Sequence, residues 1–160
     1  MILGMSLSTF TLVHTVISLI GIASGLYVLY CMITRRRLEA WIVAVFLAST
    51  VLTSVTGFGF PFSQLLPSHI VGIISLVVLA AAIPALYLFR LAGIWRLVYV
   101  IGAVFALYLN CFVGVVQAFM KIPVLRALAP TQAEPPFLIA QMILLIAFIA
   151  LGFLATRKFR

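Results

Sequence analysis

The chain has 160 residues, of which 66% are hydrophobic and 8% charged, and its mean hydropathy is +1.38. Soluble domains carry about 25% charged residues, so this composition excludes a water-soluble fold and leaves an integral membrane protein. The formal net charge of +8 does not indicate nucleic acid, because the basic residues are split among short loops and form no continuous basic face.

A transmembrane helix needs about 20 apolar residues. The first candidate covers 10–33 and stops at Arg35, Arg36 and Arg37. Those arginines follow the apolar run, and no positive stretch precedes it, which is the reverse of a secretory signal; the run reads as a retained span. The second covers 41–57 and ends in the breaker Gly57-Phe58-Gly59-Phe60-Pro61. The third covers 68–89 behind Pro67, with Pro84 inside it predicting a kink that frees the carbonyl of Ala80. The fourth covers 95–120 and the fifth 136–155. Between them, residues 121–135 carry Pro123, Pro130 and Pro135 and read either as an amphipathic turn on the surface or as a plain connector. The expected fold is therefore all-α: one domain over 1–160, a bundle of five transmembrane helices.

Charge sets the expected orientation. Arg35, Arg36, Arg37, Arg90, Arg96, Arg157, Lys158 and Arg160 collect on one side, Lys121 and Arg126 on the other. The positive-inside rule then places the N-terminus outside and the C-terminus in the cytoplasm of a bacterial-type plasma membrane. Trp41, Trp95, Tyr27, Tyr30, Tyr87 and Tyr99 mark the inner interface; Phe10, Phe58, Phe60, Phe62, Phe119 and Phe137 mark the outer one. Arg35, Arg36 and Arg37 are expected to contact anionic lipid head groups. Cys31 and Cys111 fall at different depths, too far apart for a disulfide, and read as packing residues.

Polar side chains within hydrocarbon are costly and usually face the bundle interior. Here they gather in the outer half: His14 and Ser18 on the first span, Thr53, Ser54 and Thr56 on the second, His69 on the third, Asn110 and Gln117 on the fourth, Gln141 on the fifth. The inner half offers Ser24 and Ser49. Helical spacing aligns His14, Ser18, Gly21 and Gly25 on one face, and Ala106, Asn110, Gly114 and Gln117 on another; His69 is followed by Gly72 and Ser75. Such lines have an ordinary reading as helix-packing faces, with small residues allowing close approach and polar ones hydrogen-bonding across it.

The sharper reading makes His14 and His69, the chain's two histidines, ligands of haem iron, with Gly21, Gly25 and Gly72 leaving room for a flat macrocycle. A quinone held by His14 and Gln141 is the closely related alternative. Structural zinc lacks further ligands at this depth, and copper held with Met120 or Met142 is unspecific. No carboxylate lies in the spans, so neither a paired acid and base nor a Ser-His-Asp set is available, and intramembrane ion pumping lacks its usual groups. Catalysis by this protein alone is not expected. Size, helix count and outer histidines resemble, in layout only, small bacterial membrane proteins of respiratory chains, some of them b-type cytochromes. The readings left open are a binder of haem b or quinone, a non-catalytic accessory or assembly subunit of a larger membrane complex or a homo-oligomer, and a small-solute transporter with Pro84 as hinge.

Overall fold

The computed structural model describes residues 4–61 and 67–159. They form six helices: α1 (Leu7–Thr34), α2 (Ala40–Gly57), α3 (Pro67–Tyr87), α4 (Ile94–Lys121), α5 (Pro123–Leu128) and α6 (Pro135–Lys158). All but α5 are long and apolar enough to cross a membrane. Phe62 and Arg160 lie outside the described residues.

Local chemistry explains the boundaries. α1 starts ahead of the expected Phe10 because Ser6 caps it, its hydroxyl accepting from the backbone N–H of Thr9 at 3.2 Å. It ends where Arg35 takes a left-handed conformation (φ 57°) and its N–H returns to the carbonyl of Cys31. Proline supplies the first turn of α5 and of α6, where its missing N–H costs nothing. α3 stops at Tyr87, two residues short of the expected end, because the N–H groups of Leu88 and Phe89 both fold back to the carbonyl of Pro84. Pro84 itself stays inside the helix.

Helices α1, α2, α3 and α4 form a ring in which each packs on the next and α4 closes back on α1. α1 and α3 therefore stand diagonally across it. α6 lies outside the ring against α4 and α1, so α4 is the central element. The packed core occupies one half of the bundle: Val28, Met32, Val43, Phe46, Leu79, Ala82, Tyr99, Ala103, Leu107 and Phe148 belong to one buried cluster. The outward surface is equally apolar, with Leu12, Ile20, Val77, Ile143 and Ile149 exposed. A bundle with oil on both sides is built for a bilayer, where association rests on close packing and interhelical hydrogen bonds.

The connection between α4 and α6, read from sequence as either an amphipathic turn or a plain connector, contains the short helix α5 and is pinned down. Leu125 and Ala129 pack with Phe119 and Phe137, and the Gln132 side chain donates to the carbonyl of Val116 at 3.1 Å. Glu134 accepts from Thr131 and Ala133, fixing the entry to α6. Phe10, read from sequence as an interface marker, is instead buried, edge-on to Phe60 at 5.0 Å and against Gly59, which has no Cβ to hold it off. Cys31 and Cys111 are free thiols.

Candidate ligand-binding site

The half of the bundle opposite the larger core encloses a cavity as well as a smaller packed cluster. A cavity of about 590 Å³ opens among α1, α2, α3 and α4, within the range of small-molecule sites. His14, Ser18, Thr53, Ser54, His69, Asn110 and Gln117 all line it. Much of the polar layer read from sequence thus lines one cavity, and both histidines belong to it, contributed by the diagonal helices α1 and α3.

His14 is fixed by its neighbours. Its Nδ1 lies 2.8 Å from the Thr56 hydroxyl oxygen. That hydroxyl spends its single proton on the carbonyl of Leu52, 2.6 Å away. The oxygen must then accept from the imidazole, so Nδ1 carries the proton and Nε2 keeps its lone pair. Phe60 meets the ring edge-on at 5.1 Å and holds its plane. His69, 3% exposed, sits in the first turn of α3 and stacks on Phe58 at 5.3 Å.

The remaining polar groups differ in how much capacity is left to them. The hydroxyls of Ser18 and Ser54 donate to carbonyls one turn back on their own helices, His14 and Thr50 respectively. Asn110 reaches the Thr50 hydroxyl at only 3.4 Å. The Thr53 hydroxyl is buried with no partner among the described residues, and the Gln117 amide makes no hydrogen bond among them. The cavity also takes in Lys121 at its open end, next to Ile122 and Ser68. No carboxylate lines it. The site is rich in donors and has no fixed negative charge, which suits a ligand that accepts hydrogen bonds.

Several expected site residues lie elsewhere. Gln141 is not in the cavity wall; its amide nitrogen donates to the carbonyl of Phe112 at 3.2 Å, tying α6 to α4, while its buried carbonyl oxygen has no partner among the described residues. Gly21, Gly25 and Gly72 also stand outside the wall. A Cβ on Gly25 would come within 2.6 Å of Leu107 Cδ1 and 2.7 Å of Phe46 Cε2, and one on Gly21 would meet Ser49 and Asn110 at 3.1 and 3.2 Å. Gly72 faces the Phe58 ring and the Ser54 carbonyl. Gly21 and Gly25 thus serve close packing, while Gly72 lies at ordinary contact distance from its neighbours. Lys121 was read as a loop charge, yet Asn110, Gly114, Gln117 and Lys121 fall on one helical stripe, which is the signal that assigns it to the site. Thr11 and Thr15, on the His14 face of α1, were missed for the same reason.

The two long helices flanking the cavity diverge. They are in tight contact at Gly21 and Gly25, but a Cβ on Gly114 would meet only Ile22 Cδ1, at 3.5 Å. Beyond that level Leu19 is 60% exposed although it lines the cavity, and residues 111–118 of α4 are all only partly buried. Within that stretch Val115 and Val116 pack toward α5 and α6, whereas Val113, Gly114, Gln117 and Ala118 face the cavity. The gap between α1 and α4 is a wedge that narrows at Ile22 and reaches the surface at the exposed Leu19. The described residues contain no cluster of three or more metal-ligating side chains, so a metal here would depend on the two histidines. No family model, curated protein or solved structure matches this chain.

Proposed function

We propose that the protein is a membrane-embedded quinone-binding protein that holds the ligand's head in the cavity between α1 and α4. One observation carries the reading: His14, Thr53, Asn110, Gln117 and Lys121 converge on a single carboxylate-free cavity. Quinone carbonyl oxygens only accept hydrogen bonds, and the amides of Asn110 and Gln117, the Thr53 hydroxyl and the Lys121 ammonium can all donate. The Nε2 lone pair of His14 complements this set by accepting the O–H of the reduced, quinol form. Each such bond contributes about 0.5–1.5 kcal/mol net, so two or three suffice to orient a head group. The reading is of a protein that binds and positions a quinone for a partner membrane subunit.

Haem b is a second reading, favoured by a different observation. The two histidines stand on diagonal helices across the cavity, and the tautomer of His14 leaves Nε2 free for iron. Protein purified in its own lipids separates the two. Extractable quinone near one equivalent, with no Soret band, supports the first reading. A Soret band lost in both His14→Ala and His69→Ala supports the second. Neither ligand, in protein shown to be folded, leaves the accessory-subunit reading.

For orientation, the basic residues support a cytoplasmic C-terminus in a bacterial-type plasma membrane, with the cavity toward the outer leaflet and Arg35, Arg36 and Arg37 against anionic lipid. A cysteine introduced at Lys158 should resist an impermeant thiol reagent in intact cells, and one at Arg126 should react. The reverse pattern overturns the orientation.

A further inference from the structure

We infer that the wedge between α1 and α4 is the passage for an isoprenoid tail, so that the ligand enters sideways from the bilayer and keeps its tail in the gap while the head occupies the cavity. This rests on the quinone reading and adds the class of quinone: long-tailed and lipid-borne, not a small soluble one. The wall offers both kinds of lining such a molecule requires. His14, Asn110 and Gln117 share it with the apolar Leu19, Ile22 and Val113, and of these Leu19 alone is exposed, the others being half-buried. Leu19 faces outward on the same surface that carries exposed Leu12 and Ile20, which is the surface that hydrocarbon would cover.

The floor of the wedge is as telling as its mouth. The wedge narrows at Ile22, and inward of it a methyl on Gly25 would run into the Leu107 and Phe46 side chains, so a tail cannot continue past that level. At Gly114 a Cβ would meet only Ile22 Cδ1, at the ordinary contact distance of 3.5 Å, so this level of α4 tolerates a side chain that the Gly25 level of α1 does not. A tail leaving a bilayer for an apolar wall gains little free energy, since both surroundings are apolar. The wedge therefore acts by permission: a tailed quinone places its head without folding the tail into a polar cavity, and blocking the gap penalises tailed ligands selectively.

The test is the ratio of affinities for two probes, a benzoquinone with a long isoprenoid tail and the same head without one, measured on the full chain in nanodiscs. Leu19→Trp puts an indole across the gap from an exposed position, and Gly114→Leu narrows it from the α4 side. Either substitution should lower the tailed-to-tailless ratio by about tenfold, whereas Val77→Trp, on the exposed face of α3, should not change it. Two variants on opposite walls keep the test valid if one of them fails to fold. A ratio unchanged in the folded variants overturns the passage while leaving the head site standing. If the unsubstituted protein binds neither probe, the quinone reading fails and takes the inference with it.

Discussion

The usefulness of His14 depends on Thr56. An imidazole in an apolar wall has two tautomers, and which nitrogen faces a ligand is decided by the partner of the other one. Thr56 makes that choice because its own proton is committed to Leu52. Thr56→Val keeps shape and removes the acceptor, so the tautomers mix and one buried bond is lost. Quinone affinity should fall by about tenfold, equivalent to ~1.4 kcal/mol, and Thr56→Ser should restore it. Equal affinity in wild type and Thr56→Val, by titration in nanodiscs, would mean that His14 does not meet the ligand through Nε2. Gln141 makes the complementary point at the same scale. Its depth in sequence matched that of the polar layer, but its direction did not: it serves the α4–α6 contact through Phe112. Depth along a helix is legible from counting residues. Azimuth needs the neighbours.

At the scale of elements, α1 and α4 do opposite things along their length. Near Gly21 and Gly25 the Asn110 and Leu107 side chains of α4 press onto α1 closely enough to leave no room for a Cβ, and near Leu19 and Gly114 the contact loosens. Glycine is needed at the first level for approach and tolerated at the second. Gly25→Ala forces a methyl against Leu107 and Phe46, both nearly inaccessible, and should destabilise the fold by about 1–3 kcal/mol. Gly114→Ala meets only ordinary contact at Ile22, and the gain in helix propensity, up to about 1 kcal/mol, should leave it neutral or slightly more stable. Thermal unfolding of both variants in one detergent gives the comparison; similar losses at the two sites would contradict a wedge. The sequence pattern made both glycines part of polar-edged stripes, and the stripe of His14 and Ser18 does run on into Gly21 and Gly25. It could not say where along the stripe contact gives way to cavity, because that depends on the angle between two helices and not on either one.

For the whole molecule, the five long helices were legible because hydrocarbon imposes a minimum apolar length that few other contexts produce. Their order around the bundle was not. Apolar residues cover nearly every face of α1, α3 and α6, so periodicity does not say which side meets protein and which meets lipid. The ring of four helices with α6 outside it, and hence the diagonal placement of the histidines, is information that only packing supplies. The division of the bundle into a tight half and a half that encloses a cavity follows from residue distribution: Phe46, Met32, Tyr99 and Leu107 fill one end, and Thr, Ser, His, Asn and Gln, smaller or in need of partners, line the cavity in the other. Such a cavity persists in a membrane protein only if something satisfies its polar wall.

What occupies it can be read most directly by photo-crosslinking. A long-tailed quinone carrying an azide on its ring, activated in nanodiscs and mapped by peptide mass spectrometry, should label residues 11–22 of α1 and 110–121 of α4, and unlabelled quinone should compete. Labelling confined to the apolar groove of α4 and α6 around Tyr108 and Phe148, or unaffected by competitor, would contradict the account.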